Sequence, residues 1–302
     1  MAKFLKILLS LIFISLFASC QKSLEEKGDA KYVREIKNWH NQRINNLKKE
    51  NGWLNLAGLF WLNEGINKFG SDKTNDIIFP EGKAPAFIGT LTLKDSVVTL
   101  RVNKGIEVKS EGKFVTITNL KNDLQGATVL EYNSLRWFVI KRGDKYGIRL
   151  RDSESSLVKS FKGIDTYPVN SDWRFEAKLE KYGPPKKLEI TNILGMTEEN
   201  ISPGALVFTK DGRQFKLDAL EEGDQYFIIF ADETSGEETY GAGRFIYVNK
   251  NDSTGKIILD FNKAFNPPCV FTKYATCPLP PKQNHLKLKV TAGELMFKGG
   301  TH

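Results

Sequence analysis

Cys269 and Cys277 stand eight residues apart in Asp260–Glu294, a stretch that also holds Pro267, Pro268, Pro278, Pro280 and Pro281. An even pair of thiols behind an export signal reads as a disulfide. Closing so short a loop contributes about 2–3 kcal/mol at most. The rival chemistry is a reactive thiolate, which needs a base or a positive group beside it; His285 is the only base nearby in sequence. Zinc wants four ligands, and neither CxxC nor HxxxH spacing occurs. No metal site is assigned.

A second cluster, Asp232 to Arg244, follows an apolar run ending at Phe230. Asp232 therefore sits at a strand end, where site residues are common. Gly236, Gly241 and Gly243 permit tight turns. The acids Asp232, Glu233, Glu237 and Glu238 lack the spacing of an EF-hand loop. The bland alternative is an acidic hairpin with Tyr240 and Arg244 packed beneath it. A third cluster is Arg149, Arg151 and Asp152. Two arginines two apart on a strand share a face and can grip an anion, or form a solvated outer face. No nucleophile elbow, phosphate loop or dinucleotide fingerprint is present.

The elements that must position these groups are mainly strands. Tyr32, Val33, Ile36, Trp39, Arg43, Ile44 and Leu47 recur at three-to-four spacing, which predicts one helix over 31–50, stopped by Asn51-Gly52. Beyond it come short alternating runs with turn residues every eight to twelve positions, the pattern of an antiparallel sandwich or barrel-like sheets. Asp211-Gly212 marks a hairpin. Gly183-Pro184-Pro185 is expected to separate two strands, Arg174–Leu179 and Lys187–Ile193, and His285–Thr291 is expected to be the last strand. The β-rich part spans 51–297, with a possible division into two subdomains near 163–173. Five prolines and two cysteines in one stretch exclude helix and central strand, so the Pro-Cys segment is expected to be an ordered loop at a site.

Hydrophobic residues form 40% of the chain, with 20 Phe, so a core is affordable and disorder is not the reading. The net charge of +8 is spread among acids without clustering, and no nucleic-acid partner is expected. Lys3, Lys6 and the apolar Ile7 to Phe17 form a signal peptide over 1–19. Leu16-Phe17-Ala18-Ser19-Cys20 then resembles a lipobox, which makes Cys20 the lipidation site and 20–30 a tether. The protein is expected to be exported and lipid-anchored to the cell envelope, at the outer membrane, so that the membrane is a partner through Cys20.

Asp260-Phe261-Asn262-x-Ala264-x-Asn266-Pro267-Pro268-Cys269 and Thr276-Cys277-Pro278-Leu279-Pro280-Pro281 resemble an uncharacterised bacterial and archaeal family, the domain of unknown function 1684. Gly52-Trp53-Leu54, Arg149-x-Arg151-Asp152, Phe230-x-Asp232-x-Thr234, Thr239-Tyr240, Gly243-Arg244 and Ala292-Gly293-Glu294 extend the resemblance over most of the mature chain. Members of that family often carry Arg where this chain has His285, which argues against His285 as a general base. The resemblance implies no activity and no cofactor.

The expected function is binding of a small polar or anionic ligand near the Pro-Cys loop. Its expected ligand-binding residues are Arg149, Arg151, Asp232, Tyr240, Arg244, Asn262 and Asn266. The alternatives are a hydrolase-type enzyme using Asp232 and Cys277, and a structural envelope lipoprotein. Antiparallel neighbours return the chain to one rim, which would gather Asp232, Arg244 and Asn262 beside the loop.

Overall fold

The computed structural model describes residues 24–251 and 255–299. The signal peptide and Cys20 lie outside the described residues. Helix α1 covers Ala30–Lys48. Asp29 caps it, accepting from the amides of Lys31 and Tyr32 at 2.9 Å each. Gly52 ends this region because a Cβ there would meet the Leu47 carbonyl oxygen. Val33, Ile36 and Leu47 are buried along the stripe read from the sequence.

Eleven strands follow in the first half: β1 (Leu56–Trp61), β2 (Gly65–Gly70), β3 (Ile77–Ile78), β4 (Gly89–Lys94), β5 (Val97–Val102), β6 (Lys109–Ser110), β7 (Lys113–Phe114), β8 (Ile117–Leu120), β9 (Leu130–Tyr132), β10 (Leu135–Arg142) and β11 (Lys145–Asp152). They form one sheet of order β1-β11-β10-β9-β6-β7 and another of order β3-β2-β4-β5-β8. Inward side chains of the two sheets share one core, with Phe69, Phe79, Trp137, Ile148 and Leu150 at or near zero exposure. Period two along β11 sends Ile148 and Leu150 into that core and leaves Arg149 and Arg151 on the opposite face.

The second half contributes β12 (Arg174–Thr191), β13 (Thr197–Lys210), β14 (Arg213–Glu222), β15 (Gln225–Phe230), β16 (Arg244–Asn249) and β17 (Ile257–Asp260). They make one antiparallel sheet, ordered β16-β15-β14-β13-β12-β17. Its two edge strands approach each other, so the sheet curls into a nearly closed barrel. Trp173, Phe208, Phe230 and Phe261 fill it. The Asp211-Gly212 hairpin forms as the sequence predicts, with both residues at positive φ.

Two strand expectations are corrected. Gly183-Pro184-Pro185 does not break the chain into two strands. It forms an irregularity inside β12, where the pairing with β13 shifts between Lys181 and Lys186. A bulge removes prolines from the ladder without ending the strand. His285–Thr291 is not a strand either. Its backbone crosses the barrel end, bonding the backbone of Ala231 and Glu233 and, at Val290, the side chains of Asp232 and Arg244.

The Pro-Cys segment is an ordered loop with short 3-10 turns at Pro268–Val270 and Lys282–Asn284. Cys269, Ala275 and Cys277 pack on Ile190, Ile229 and Phe245 of the barrel exterior. Val270 and Phe271 pack on Leu47, Leu54 and Phe161. The loop is thus wedged between the barrel and the first half of the chain.

Candidate functional site

Cavity lining, not burial, divides the candidate residues into a sealed group and an open one. Asp232 and Arg244 do meet, as the rim topology requires, with Arg244 Nη2 donating to Asp232 Oδ2 at 2.8 Å. Both side chains are fully buried. Asp232 Oδ1 also accepts from the Thr234 amide and hydroxyl at 2.9 and 2.7 Å, and from the Val290 amide at 3.2 Å. Arg244 donates to the carbonyls of Ala292 and Val290 at 2.5 and 3.0 Å. This pair clamps the returning chain across the barrel end and offers no group to solvent.

Asn262 is equally occupied. Its amide nitrogen donates to Tyr32 Oη, the Asn170 carbonyl and Asp260 Oδ1 at 2.9, 2.8 and 3.0 Å. Its oxygen accepts from the Asn170 amide at 2.9 Å. Burial raises the Asp260 carboxyl above its ordinary value, against these hydrogen bonds. The network fastens α1 to the barrel.

The expected disulfide is not formed: Cys269 and Cys277 are free and buried. The Cys269 amide donates to Cys277 Sγ at 3.1 Å. A hydrogen bond from Cys277 pulls the Cys269 thiol below its ordinary value, opposed by burial and helped by the Tyr240 hydroxyl. Burial, then Cys269, pushes the Cys277 thiol well up. Tyr240 is therefore engaged with a thiol, and burial raises its own phenol.

The open group centres on Arg149. The face of β11 that reads as a solvated outer face is covered by the second half of the chain, and Arg149 is 4% exposed. Nη2 donates to Thr276 Oγ1 at 3.3 Å. Its Nε has no hydrogen-bond partner. Its guanidinium carbon lies 5.6 Å from the Trp53 ring centre. No carboxylate forms an ion pair with it among the described residues. Burial, then the like charges of Arg142 and Arg151, lowers Arg149 from its ordinary value to about 10. Thr276 Oγ1 also accepts from Arg142 Nε at 3.2 Å, so the hydroxyl accepts from two cations and keeps its own proton to donate.

Arg149, Arg142, Thr276 and Cys277 open onto a cavity of about 390 Å3. Its walls come from both halves: Trp53 on one side, Ile190, Asn192, Phe227 and Phe245 on the other. Three acids reach its rim and each is engaged elsewhere. Glu198 accepts from the Gly143 amide, Glu221 pairs with Lys250, and Glu222 accepts from Tyr247. Arg142 is paired with Asp123 at 2.6 Å, whereas Arg149 has no ion pair among the described residues.

Arg149 and Arg151 do not form one grip. Arg151 bonds the Gly52 carbonyl and Asn55 Oδ1, and it lines a different cavity. Trp53 lies against both guanidinium groups. Sequence reasoning missed Arg142, Thr276 and the role of Trp53. Thr276 adjoins Cys277 and could have been found there; Arg142 carries no local signal.

Asn266 lies in a neighbouring cavity of about 360 Å3. Its amide nitrogen donates to the Leu295 carbonyl at 2.7 Å, and its backbone amide donates to Glu294 Oε2 at 2.7 Å. Its side-chain oxygen is buried without a partner. Glu294, also missed, is fully buried and held by Arg43 Nε at 2.6 Å. Among the described residues no three His, Cys, Asp or Glu side chains are arranged to hold a metal ion.

Residues 159–295 match a family model whose description is "Protein of unknown function (DUF1684)". The motifs around Trp53 and Arg149 lie outside that match. No curated protein matches the chain. A solution NMR structure of an uncharacterized protein from Haloarcula marismortui is 30% identical over 46% of this chain and 79% of its own, with a TM-score of 0.38. A structure described as a study of phosphothreonine-dependent FHA domain interactions is 16% identical over 31% of this chain and 92% of its own, at a TM-score of 0.22. Neither TM-score supports a structural argument.

Proposed function

The chain belongs to that family of unknown function, whose description leaves the site to be read from its residues, and we propose that it is an exported, lipid-anchored envelope protein that binds a small anionic ligand in the Arg149 cleft. One observation carries the binding part. A guanidinium 4% exposed, without an ion pair and with Nε unbonded, opens onto a cavity. An isolated buried charge is expensive, and a carboxylate or phosphate ligand would relieve it with charge-assisted hydrogen bonds. The Thr276 proton adds a second donor at the same place. The lipobox-like Leu16 to Cys20 run after an apolar segment carries the anchoring part.

A binder has more support than a hydrolase. Asp232 is sealed in its pair with Arg244, and burial holds the pocket-facing Cys277 thiol in its neutral form. The test is mass spectrometry of small molecules that co-purify with the native protein from membranes. An anion should accompany the wild type and be missing from Arg149→Met. Identical small molecules on both would refute the site. In the same preparations Cys20→Ala should move the protein into the soluble periplasmic fraction; a variant still sedimenting with membranes would refute the anchor.

A further inference from the structure

The Arg149 cleft adjoins a second compartment. Trp53, Phe227, Phe245 and Pro268 line both the cleft and the cavity that holds Asn266, so the two spaces share a wall. The second compartment is built mainly from rings. Phe227, Tyr247 and Phe265 stand in a nearly parallel row, with centres 4.9 Å apart between the first two and 5.9 Å between the last two. Phe245 meets Phe227 and Phe265 edge-on. Tyr247 is 39% exposed, so the row is not closed over by the protein itself.

The polar content of this second compartment is narrow. Arg43 is taken up by Glu294 and stacks on Phe265 at 4.3 Å. Gln42 and Asn46 of α1 also line it, and Asn266 adds a buried side-chain oxygen without a partner. Because its nitrogen donates to the Leu295 carbonyl, its orientation is fixed by its bonds and the free atom is the oxygen. A buried amide oxygen without a donor costs free energy that a ligand hydroxyl or N–H would recover.

Resting on the anion-binding reading above, we propose that the ligand is an elongated amphiphilic acid. Its carboxylate or phosphate sits at Arg149 and Thr276. Its aromatic or apolar body lies along the Phe227–Tyr247–Phe265 row, and a hydrogen-bond donor near the far end meets Asn266 Oδ1. The three requirements are a cation that needs an anion, rings that need an apolar partner, and an acceptor that needs a donor. Each cavity is of small-ligand size.

The test compares three probes on the full-length protein in detergent, by calorimetry and tryptophan fluorescence: propionate, 6-phenylhexanoate and 6-(4-hydroxyphenyl)hexanoate. The expected order of affinity is propionate weakest, the phenyl acid more than tenfold tighter, and the hydroxyphenyl acid tighter again by about fivefold. Tyr247→Ala should weaken both aryl acids and leave propionate unchanged. Arg149→Met should abolish all three. Equal affinity for all three probes, still lost in Arg149→Met, would overturn the elongated ligand and leave the anion site standing. Equal affinity of the two aryl acids would overturn the role of Asn266. Binding of none of the three at millimolar concentration, or binding unaffected by Arg149→Met, would overturn the anion reading itself.

Discussion

Replacing Arg149 by Met should make the ligand-free protein more stable. The fall of the guanidinium from its ordinary value to about 10 corresponds to about 3 kcal/mol of penalty on the charged form at neutral pH. Methionine has a similar reach, fills irregular space and carries no charge. The substitution removes one donor from Thr276 Oγ1, a loss of about 1 kcal/mol; that oxygen still accepts from Arg142. The balance is a gain of about 1–2 kcal/mol, or about 2–3 °C in melting temperature for a chain this size. Urea denaturation of both proteins without ligand measures it, with the slope checked to show that the same surface is exposed. Saturating 6-phenylhexanoate should then raise the midpoint of the wild type and leave the variant unmoved. A gain in stability joined to a loss of binding is the signature of a functional residue held at a cost. A loss of more than about 1 kcal/mol in the variant would refute the reasoning, because Arg149 would then be holding the Pro-Cys loop through Thr276.

The Asp232–Arg244 pair should behave oppositely: Arg244→Ala leaves a buried carboxylate alone and should cost about 3–5 kcal/mol, read from the same denaturation curves, whereas a change under about 1 kcal/mol would mean the pair is not structural. Anion affinity should fall above about pH 10 as Arg149 loses its proton. Above about pH 10 the unfolded chain still binds that proton and the folded ligand-free chain does not, so this group's contribution to ligand-free stability rises with pH while binding weakens. Calorimetric titration with 6-phenylhexanoate should give about fourfold weaker apparent affinity at about pH 10.5 than at about pH 8; equal affinities would assign the anion to another group.

What could be read from the sequence was local or periodic. The helix, its cap region and the Asp211-Gly212 hairpin follow from three or four neighbouring residues. So does the rim that brings Asp232 to Arg244, since consecutive antiparallel strands leave little choice. Whether that rim is open was not legible, because burial depends on where residues 285–294 go. They cross the barrel end on Arg244 rather than adding a strand, and a polar rim becomes an internal clamp. Arg149 and Arg151 were legible as a pair on one face, but they line different cavities, with Trp53, ninety-odd residues earlier, against both guanidinium groups. The Gly183-Pro184-Pro185 segment was misread because proline ends a ladder only when no bulge takes it up.

The Thr276 hydroxyl accepts hydrogen bonds from Arg142 and Arg149, residues 134 and 127 positions away along the chain. The family model begins at residue 159, so both guanidinium groups belong to the part of the chain it leaves out. The barrel therefore supplies most of the cleft's wall and the preceding sandwich supplies its two guanidinium groups. Such a bipartite site can appear only after both halves have folded and docked. A bound acid would act as a rivet between them, resisting their separation in proportion to its occupancy. A fragment carrying the matched segment alone would keep the aromatic wall and lose its affinity for anions.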